Sequence, residues 1–330
     1  MFKASKERMK EKIKLSIIIV NFETPDYTLG CIDSLFANPP GCSFEVLLID
    51  NGSSDGSLDL IREKRPEVIC IESGSNLGFS KANNLGLHNA RGEYVLLLNS
   101  DTKILDDAIG RLTVYLDECP EVGVVGCKQL DGHGRLQLSW GAFPTFVSEI
   151  YRKLLHGRLS INDLRVREYL EEKYAGSNEV EWVSGSCLMA RREALFQAGL
   201  LDENFFMYFE DIDLCRNVRD KGWKIHFSSE TTIVHYGGVS AKKNLLRVLV
   251  IYRKSQIYFT KKYYGMSGVL VLKSMLMLKY GVYAGRSAFL FIARSMVSRD
   301  TKIQYTELLL CKKVFELVFG KKAVSEISGT

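Results

Sequence analysis

Two short stretches concentrate oxygen-bearing side chains where chemistry could use them. Asn99-Ser100-Asp101 ends the apolar run Tyr94–Leu98, and Glu210-Asp211-Ile212-Asp213 follows Phe205–Phe209. A carboxylate at the end of a buried strand can ligate a divalent cation through oxygen. Ser100-Asp101 could equally cap a helix starting near Ile104. Three carboxylates within four residues, beside five apolar ones, are expensive unless a ligand, a cation or water satisfies them. A helix N-terminus would welcome one or two of them, less readily all three inside an aromatic collar. His235, in His235-Tyr236-Gly237-Gly238, reads on its own as structural rather than as a ligand.

Such groups need a scaffold, and the first half of the chain supplies an alternating one. Leu15–Asn21, Phe44–Asp50, Val68–Ile71 and Glu93–Asn99 read as strands. Helices are expected between them, from Pro25, from about Leu58 and after Asn76-Leu77-Gly78-Phe79. Four strand–helix alternations predict a parallel sheet with right-handed crossovers. Near-continuous apolar strands predict cover on both faces. Strands one, two and four end in Asn21, Asp50 and Asn99-Ser100-Asp101, so their polar ends converge at one sheet edge, where ligands of open α/β sheets bind. No G-x-G-x-x-G follows the first strand and no G-x-x-x-x-G-K-[ST] occurs, which removes the usual dinucleotide and P-loop signatures.

Further on, a helix is expected around Asp106–Cys119 and a strand near Val122–Cys127. Residues 131–180 read as mostly irregular, with one charged helix around Asn162–Lys173 and part of the stretch a mobile loop. Strand Trp182–Ala190, helix Arg191–Ala198 stopped by Gly199, and two strand pieces, Trp223–Phe227 and Thr231–His235, follow.

Charge divides the chain. Residues 241–330 hold 17 of its 44 Lys+Arg and 4 of its 39 Asp+Glu, a balance of +13, leaving −8 on residues 1–240. A basic tail suggests an anionic surface. It reads as helices Leu245–Tyr264, Val269–Val297 with breaks at Gly281 and Gly285, and Tyr305–Phe319. The longest uncharged run of the middle segment, Tyr263–Leu272, is far short of the roughly 20 residues a spanning helix needs. Lys273, Lys279, Arg286 and Arg294 fall within an arc of roughly 140°, which fits a helix lying in a membrane interface or a helical cap with its charges in water. The eight cysteines show no C-x-x-C pair or Cys/His metal spacing. Residues 1–14 lack the apolar core of a signal peptide, so a reduced, cytoplasmic chain is expected, peripheral on the inner membrane face.

The residues together resemble a family. Val20-Asn21-Phe22, Ile49–Ser57, Asn76–Phe79, Asn99-Ser100-Asp101, Trp182–Gly185, Phe206–Cys215 and His235–Gly238, in that order, are similar to family 2 glycosyltransferases of the bacterial rhamnosyltransferase branch. The resemblance spans about Leu15 to Ser240. It implies a GT-A fold, a Rossmann-like mixed sheet flanked by helices, over 15–240, between a basic leader (1–14) and a basic helical extension (241–330). It implies a donor site of Asn21, Asp50, Asn76, Asn99, Ser100, Asp101, Trp182 and Gly185, with Asp50 receiving the imide N–H of a uracil or thymine ring. Asp101 and His235 would hold Mg²⁺ or Mn²⁺ on the diphosphate. The family's metal motif here lacks its first Asp, which Asn99 replaces. Asp211 would be the base, with Glu210 orienting or substituting. The implied function is an inverting transfer of a sugar, with rhamnose a candidate, from a UDP- or dTDP-linked donor to a lipid-linked or polysaccharide acceptor, soluble acceptors being the near alternative. The expected partners are these substrates and an anionic membrane, with a second copy as a further candidate, and not nucleic acid, since no acid-free aromatic groove accompanies the tail. A non-catalytic sugar-nucleotide-binding subunit is the other class, against which the retained Glu210-Asp211 speaks.

Overall fold

The computed structural model describes residues 12–238, 245–295 and 301–319. Most of the expected leader and the first residues of the tail lie outside them. The chain forms two units, Met1–Phe206 with Glu210–Ser240, and Met207–Phe209 with Ala241–Thr330.

The first unit opens with β1 (Leu15–Asn21), α1 (Pro25–Ala37), β2 (Phe44–Asp50), α2 (Ser57–Lys64), β3 (Ile69–Glu72), α3 (Phe79–Asn89) and β4 (Tyr94–Asn99). β3, β2, β1 and β4 lie parallel in that order, as the alternation predicts. β1 shows why the pattern works. Its side chains alternate, Ile17 and Ile19 facing one buried cluster with α1 and α4, Ile18 the other. Each such side chain contributes about 1.5–3 kcal/mol on burial. β3 departs from the expectation of full cover, since it is an edge strand with Ile69 42% exposed.

Beyond β4 the sheet turns mixed. The remaining elements are β5 (Thr102–Ile104), α4 (Ala108–Glu118), β6 (Val122–Leu130), β7 (Leu136–Gln137), β8 (Trp140–Gly141), α5 (Phe146–Ser160), α6 (Leu164–Lys173), β9 (Ser177–Glu179), β10 (Trp182–Val183), β11 (Cys187–Arg191), α7 (Arg192–Ala198), α8 (Glu210–Asp220) and β12 (Lys224–His235). β11 runs antiparallel between β4 and β6, β12 parallel to β6, and β5 antiparallel on β12. Three readings change. The stretch 131–180 carries two helices rather than one, α5 starting from a Thr145–Ser148 capping box that the irregular composition hid. Trp182–Ala190 is two strands, β10 pairing with β8 rather than joining the main sheet. The two strand pieces before His235 are one strand, β12, whose register on β6 shifts between Ser228 and Thr232. All eight cysteines are free thiols, five of them buried.

In the second unit, α9 (Leu245–Ser295) and α10 (Lys302–Val318) pack through Leu276, Tyr280, Cys311, Val314 and Val318. The expected breaks at Gly281 and Gly285 are absent. α9 is interrupted at Gly265, where φ is +63°, inside the gap expected between Tyr264 and Val269. Buried Tyr280 and Ser287, the latter donating to Glu307, pin the glycine-bearing turns to α10, and such packing outweighs a glycine's helix penalty of about 1 kcal/mol. α9 is long and apolar enough to cross a membrane by length and composition, and only 17% of its most apolar window is buried.

Candidate active site

The ends of β1 and β2 are in register, Asn21 beside Asp50. Asn21 Nδ2 donates to Asp50 Oδ1 (2.9 Å) and to Ser53 Oγ (3.0 Å), and the Ser53 amide donates to Asp50 Oδ2 (3.1 Å). Asn21 is fully buried and Asp50 5% exposed. Asn21 therefore holds Asp50 in place, and its own Oδ1 accepts from Thr28 and Thr24. The turn after β2 needs a glycine. Gly52 has φ +79°, and a Cβ there would lie 2.6 Å from the Ser75 carbonyl carbon. That close pass lets Asn51 Oδ1 accept the Leu77 N–H and Asn51 Nδ2 donate to Asn76 Oδ1. Asn76 Oδ1 also accepts the Gly78 N–H, which starts α3.

β4 ends at Asn99, and β5 pairs with the end of β12, setting His235 opposite Thr102. The Tyr236 N–H donates to the Asp101 carbonyl (2.9 Å). His235 Nε2 lies 3.3 Å from Asp101 Oδ1 and 3.3 Å from Asn99 Nδ2. Gln137 sets the role of its Nδ1. The Gln137 Nε2 donates to the His235 carbonyl (2.9 Å), so its Oε1 faces His235 Nδ1 at 3.0 Å and takes that ring proton. Nε2 faces a carboxylate oxygen and the Asn99 amide nitrogen, each at 3.3 Å. An imidazole nitrogen and a carboxylate oxygen this close could serve together as ligands of one cation. The donor set fits a divalent metal that takes its other ligands from phosphate oxygens and water, as Mg²⁺ does. Among the described residues there is no group of three or more His, Cys, Asp and Glu that would make a closed protein cage.

The acidic cluster opens α8. Asp211 Oδ2 accepts the Gly185 N–H (3.0 Å) and Oδ1 the Ile212 N–H (2.9 Å). Gly185 stays open toward Asp211 and Phe79, whose nearest atoms lie 3.4 and 3.5 Å from the position its Cβ would take. Glu210 is 5% exposed and its Oε2 has no hydrogen-bond partner. Burial, and then the neighbouring Asp211 charge, push the Glu210 carboxyl well above the usual range. Burial raises Asp211 too, opposed by its two N–H donors. Of the pair, Glu210 holds its proton the more strongly. Asp213 is fully buried, with Asn217 Nδ2 on its Oδ2 (3.1 Å).

Short links join the two centres. Gly185, on Asp211, precedes Ser186, whose carbonyl accepts the Asn99 N–H at 3.0 Å, and Asn99 touches His235. Ser100 Oγ lies 3.4 Å from Thr24 Oγ1, tying this edge to α1. Trp182 is 5% exposed with its indole N–H on the Ala142 carbonyl (2.8 Å), and its ring packs on Gly141. Gln137, Ser53 and Ser186 escaped sequence reasoning as site residues. Ser53 was visible only as part of a turn, and nothing in a two-residue strand marks Gln137.

The protonation of Glu210 has a measurable consequence for stability. The unfolded chain releases this proton near the ordinary 4.5. The folded chain holds it to higher pH, so stability falls as pH rises above that value. Glu210→Gln removes this penalty. Thermal melts should show the variant equal to wild type near pH 4 and more stable at pH 8, by a few degrees at about 2–4 °C per kcal/mol. A gap independent of pH would contradict the assignment.

A mixed sheet of this order, with acidic side chains gathered at its carboxyl edge and helices on both faces, is the GT-A arrangement of nucleotide-sugar transferases. The model of glycosyl transferase family 2 matches residues 16–195. The chain belongs to that family, whose members transfer sugars with inversion. It is 28% identical over 263 residues to an N-acetylglucosaminyl-diphospho-decaprenol L-rhamnosyltransferase of Mycobacterium tuberculosis, covering 73% of this chain and 85% of that protein. The rhamnosyltransferase WbbL of Escherichia coli is 24% identical over 230 residues, covering 67% and 82%. A mannosyltransferase from Pyrobaculum calidifontis, solved with GDP-Man and Mn²⁺, shares the fold with a TM-score of 0.53 at 14% identity, over 95% of this chain and 89% of that one.

Proposed function

We propose that the enzyme transfers a sugar, rhamnose first among candidates, from a UDP- or dTDP-linked donor to a lipid-linked glycan in cell-surface glycan synthesis. The observation that carries this reading is the Asp211 carboxyl, held by the Gly185 and Ile212 amides and linked through Ser186 and Asn99 to the His235–Asp101 pair. Asp50, fixed by Asn21 and Ser53, would receive the imide N–H of the base.

Asp211 takes the proton of the acceptor hydroxyl as that oxygen attacks the anomeric carbon. The bond to the donor diphosphate breaks on the opposite face, which inverts the centre and needs no protein nucleophile. Protonated Glu210 adds no second charge beside Asp211, so the acceptor meets one base. Asp101 and His235 would hold Mg²⁺ or Mn²⁺. Such an ion, when bound, neutralises charge building on the leaving diphosphate.

The tail supports a place on the cytoplasmic membrane face. Residues 245–295 contain no Asp or Glu, and Leu270, Leu278, Val282 and Phe289 are each more than 60% exposed. Such a face suits anionic lipid. A panel of UDP- and dTDP-sugars, offered with a lipid-diphosphate-linked GlcNAc acceptor in Mn²⁺ or Mg²⁺, tests the reading. Turnover with at least one donor, lost on chelation, is expected. Donor binding with no transfer to any acceptor would favour the non-catalytic subunit.

A further inference from the structure

The second unit holds more than the tail, since Met207–Phe209 belong to it and the first unit resumes at Glu210. Within the second unit these three residues are held by both hydrogen bonding and ring packing. Ser255 Oγ donates to the Met207 carbonyl at 2.7 Å. Tyr208 meets the edge of Tyr252 with ring centroids 5.6 Å apart. Phe209 packs on Tyr252 and on Phe259, both at 5.3 Å. Phe209 and Phe259 are 4% and 1% exposed.

The backbone there is unusual. Tyr208 and Phe209 have φ of +72° and +70°. Bulky residues rarely enter the left-handed region, and two in succession persist only where their surroundings over-determine them. The contacts from α9 are those surroundings. The two residues that follow are Glu210 and Asp211.

We propose that Tyr252, Ser255 and Phe259 are positioning residues for the Asp211 carboxylate. They act through Met207–Phe209, fixing the left-handed pair and so the direction in which α8 begins. If Tyr208 or Phe209 relaxes to an ordinary φ, the start of α8 turns and Asp211 leaves the Gly185 amide. A misplacement of about 1 Å can cost on the order of 10²-fold in rate. The proposal rests on the reading of Asp211 as the base. It makes the tail part of the catalytic apparatus as well as a membrane support.

The test uses the full-length chain with Ser255→Ala, Ser255→Thr and Phe259→Leu, measuring kcat, donor KM, nucleotide affinity by calorimetry and the thermal melt. Ser255→Ala and Phe259→Leu should each lower kcat by about 10–100-fold with donor KM and nucleotide affinity nearly unchanged. Ser255→Thr, which keeps the hydroxyl, should restore most of the rate. Ser255→Ala added to Asp211→Asn should cost little more than Asp211→Asn alone, because both act on one carboxylate. Wild-type kcat in folded Ser255→Ala and Phe259→Leu overturns the proposal, as does a matching loss of nucleotide affinity. Normal turnover in Asp211→Asn would instead remove the base assignment, which separates the two failures.

Discussion

Asp211→Asn should lose transfer by roughly 10²–10⁴-fold, the usual contribution of a positioned proton acceptor, while binding the donor nucleotide almost as wild type. The amide keeps the side chain's shape, and its oxygen can still accept the Gly185 N–H that the carboxylate accepts at 3.0 Å. What disappears is the charge, and with it the ability to take a proton at neutral pH. Donor affinity should stay because the proposed nucleobase contact, Asp50, ends β2 and the proposed diphosphate contact, Asp101, lies between β4 and β5, both away from α8. A transfer assay beside a nucleotide titration checks both halves. If these acids only began a helix, both Asp211→Asn and Glu210→Gln would change stability by about 1 kcal/mol and spare the turnover of folded molecules.

Asp101→Ala should abolish the dependence of donor affinity on Mn²⁺. The substitution leaves the Asp101 carbonyl free to hold the Tyr236 N–H, so the β5–β12 corner keeps its backbone. It removes one of the two acceptors that face each other at 3.3 Å. His235 alone then offers a single ring nitrogen, too little to hold a cation against water without the diphosphate. Calorimetry with UDP and dTDP, with and without Mn²⁺, reads the effect without relying on turnover. Affinity that still rises with Mn²⁺ as in wild type would place the cation elsewhere.

The parts of this site that were legible in the sequence share one property: their cost is local. Apolar strands that stop at Asn21, Asp50 and Asn99 advertise a polar edge, because only beyond the strand ends are there polar partners such as Ser53 and Thr28 to satisfy them. Three acids after Phe205–Phe209 advertise a burial cost, and the orphaned Glu210 Oε2 is that cost made visible. What was not legible depends on pairing between distant segments. Gln137 acts only because β7 brings it to His235, 98 residues away. The unbroken helix through Gly281 and Gly285 follows from packing of α9 on α10, which no helix propensity encodes, whereas the break at Gly265 falls in the gap read between Tyr264 and Val269. Trp182 shows the opposite case. The family motif draws attention to it, and the fold buries its ring against Gly141 with the indole committed to Ala142.

The most direct test of the central claim follows the stereochemistry of transfer. The full-length enzyme is incubated with the donor that the panel selects, a lipid-diphosphate-linked glycan and Mn²⁺, and the new glycosidic linkage is read by NMR. The account predicts a product whose anomeric configuration is inverted relative to the donor, formed by wild type and almost absent with Asp211→Asn. A product of retained configuration, or one formed equally well by Asp211→Asn, would contradict a single displacement driven by that carboxylate.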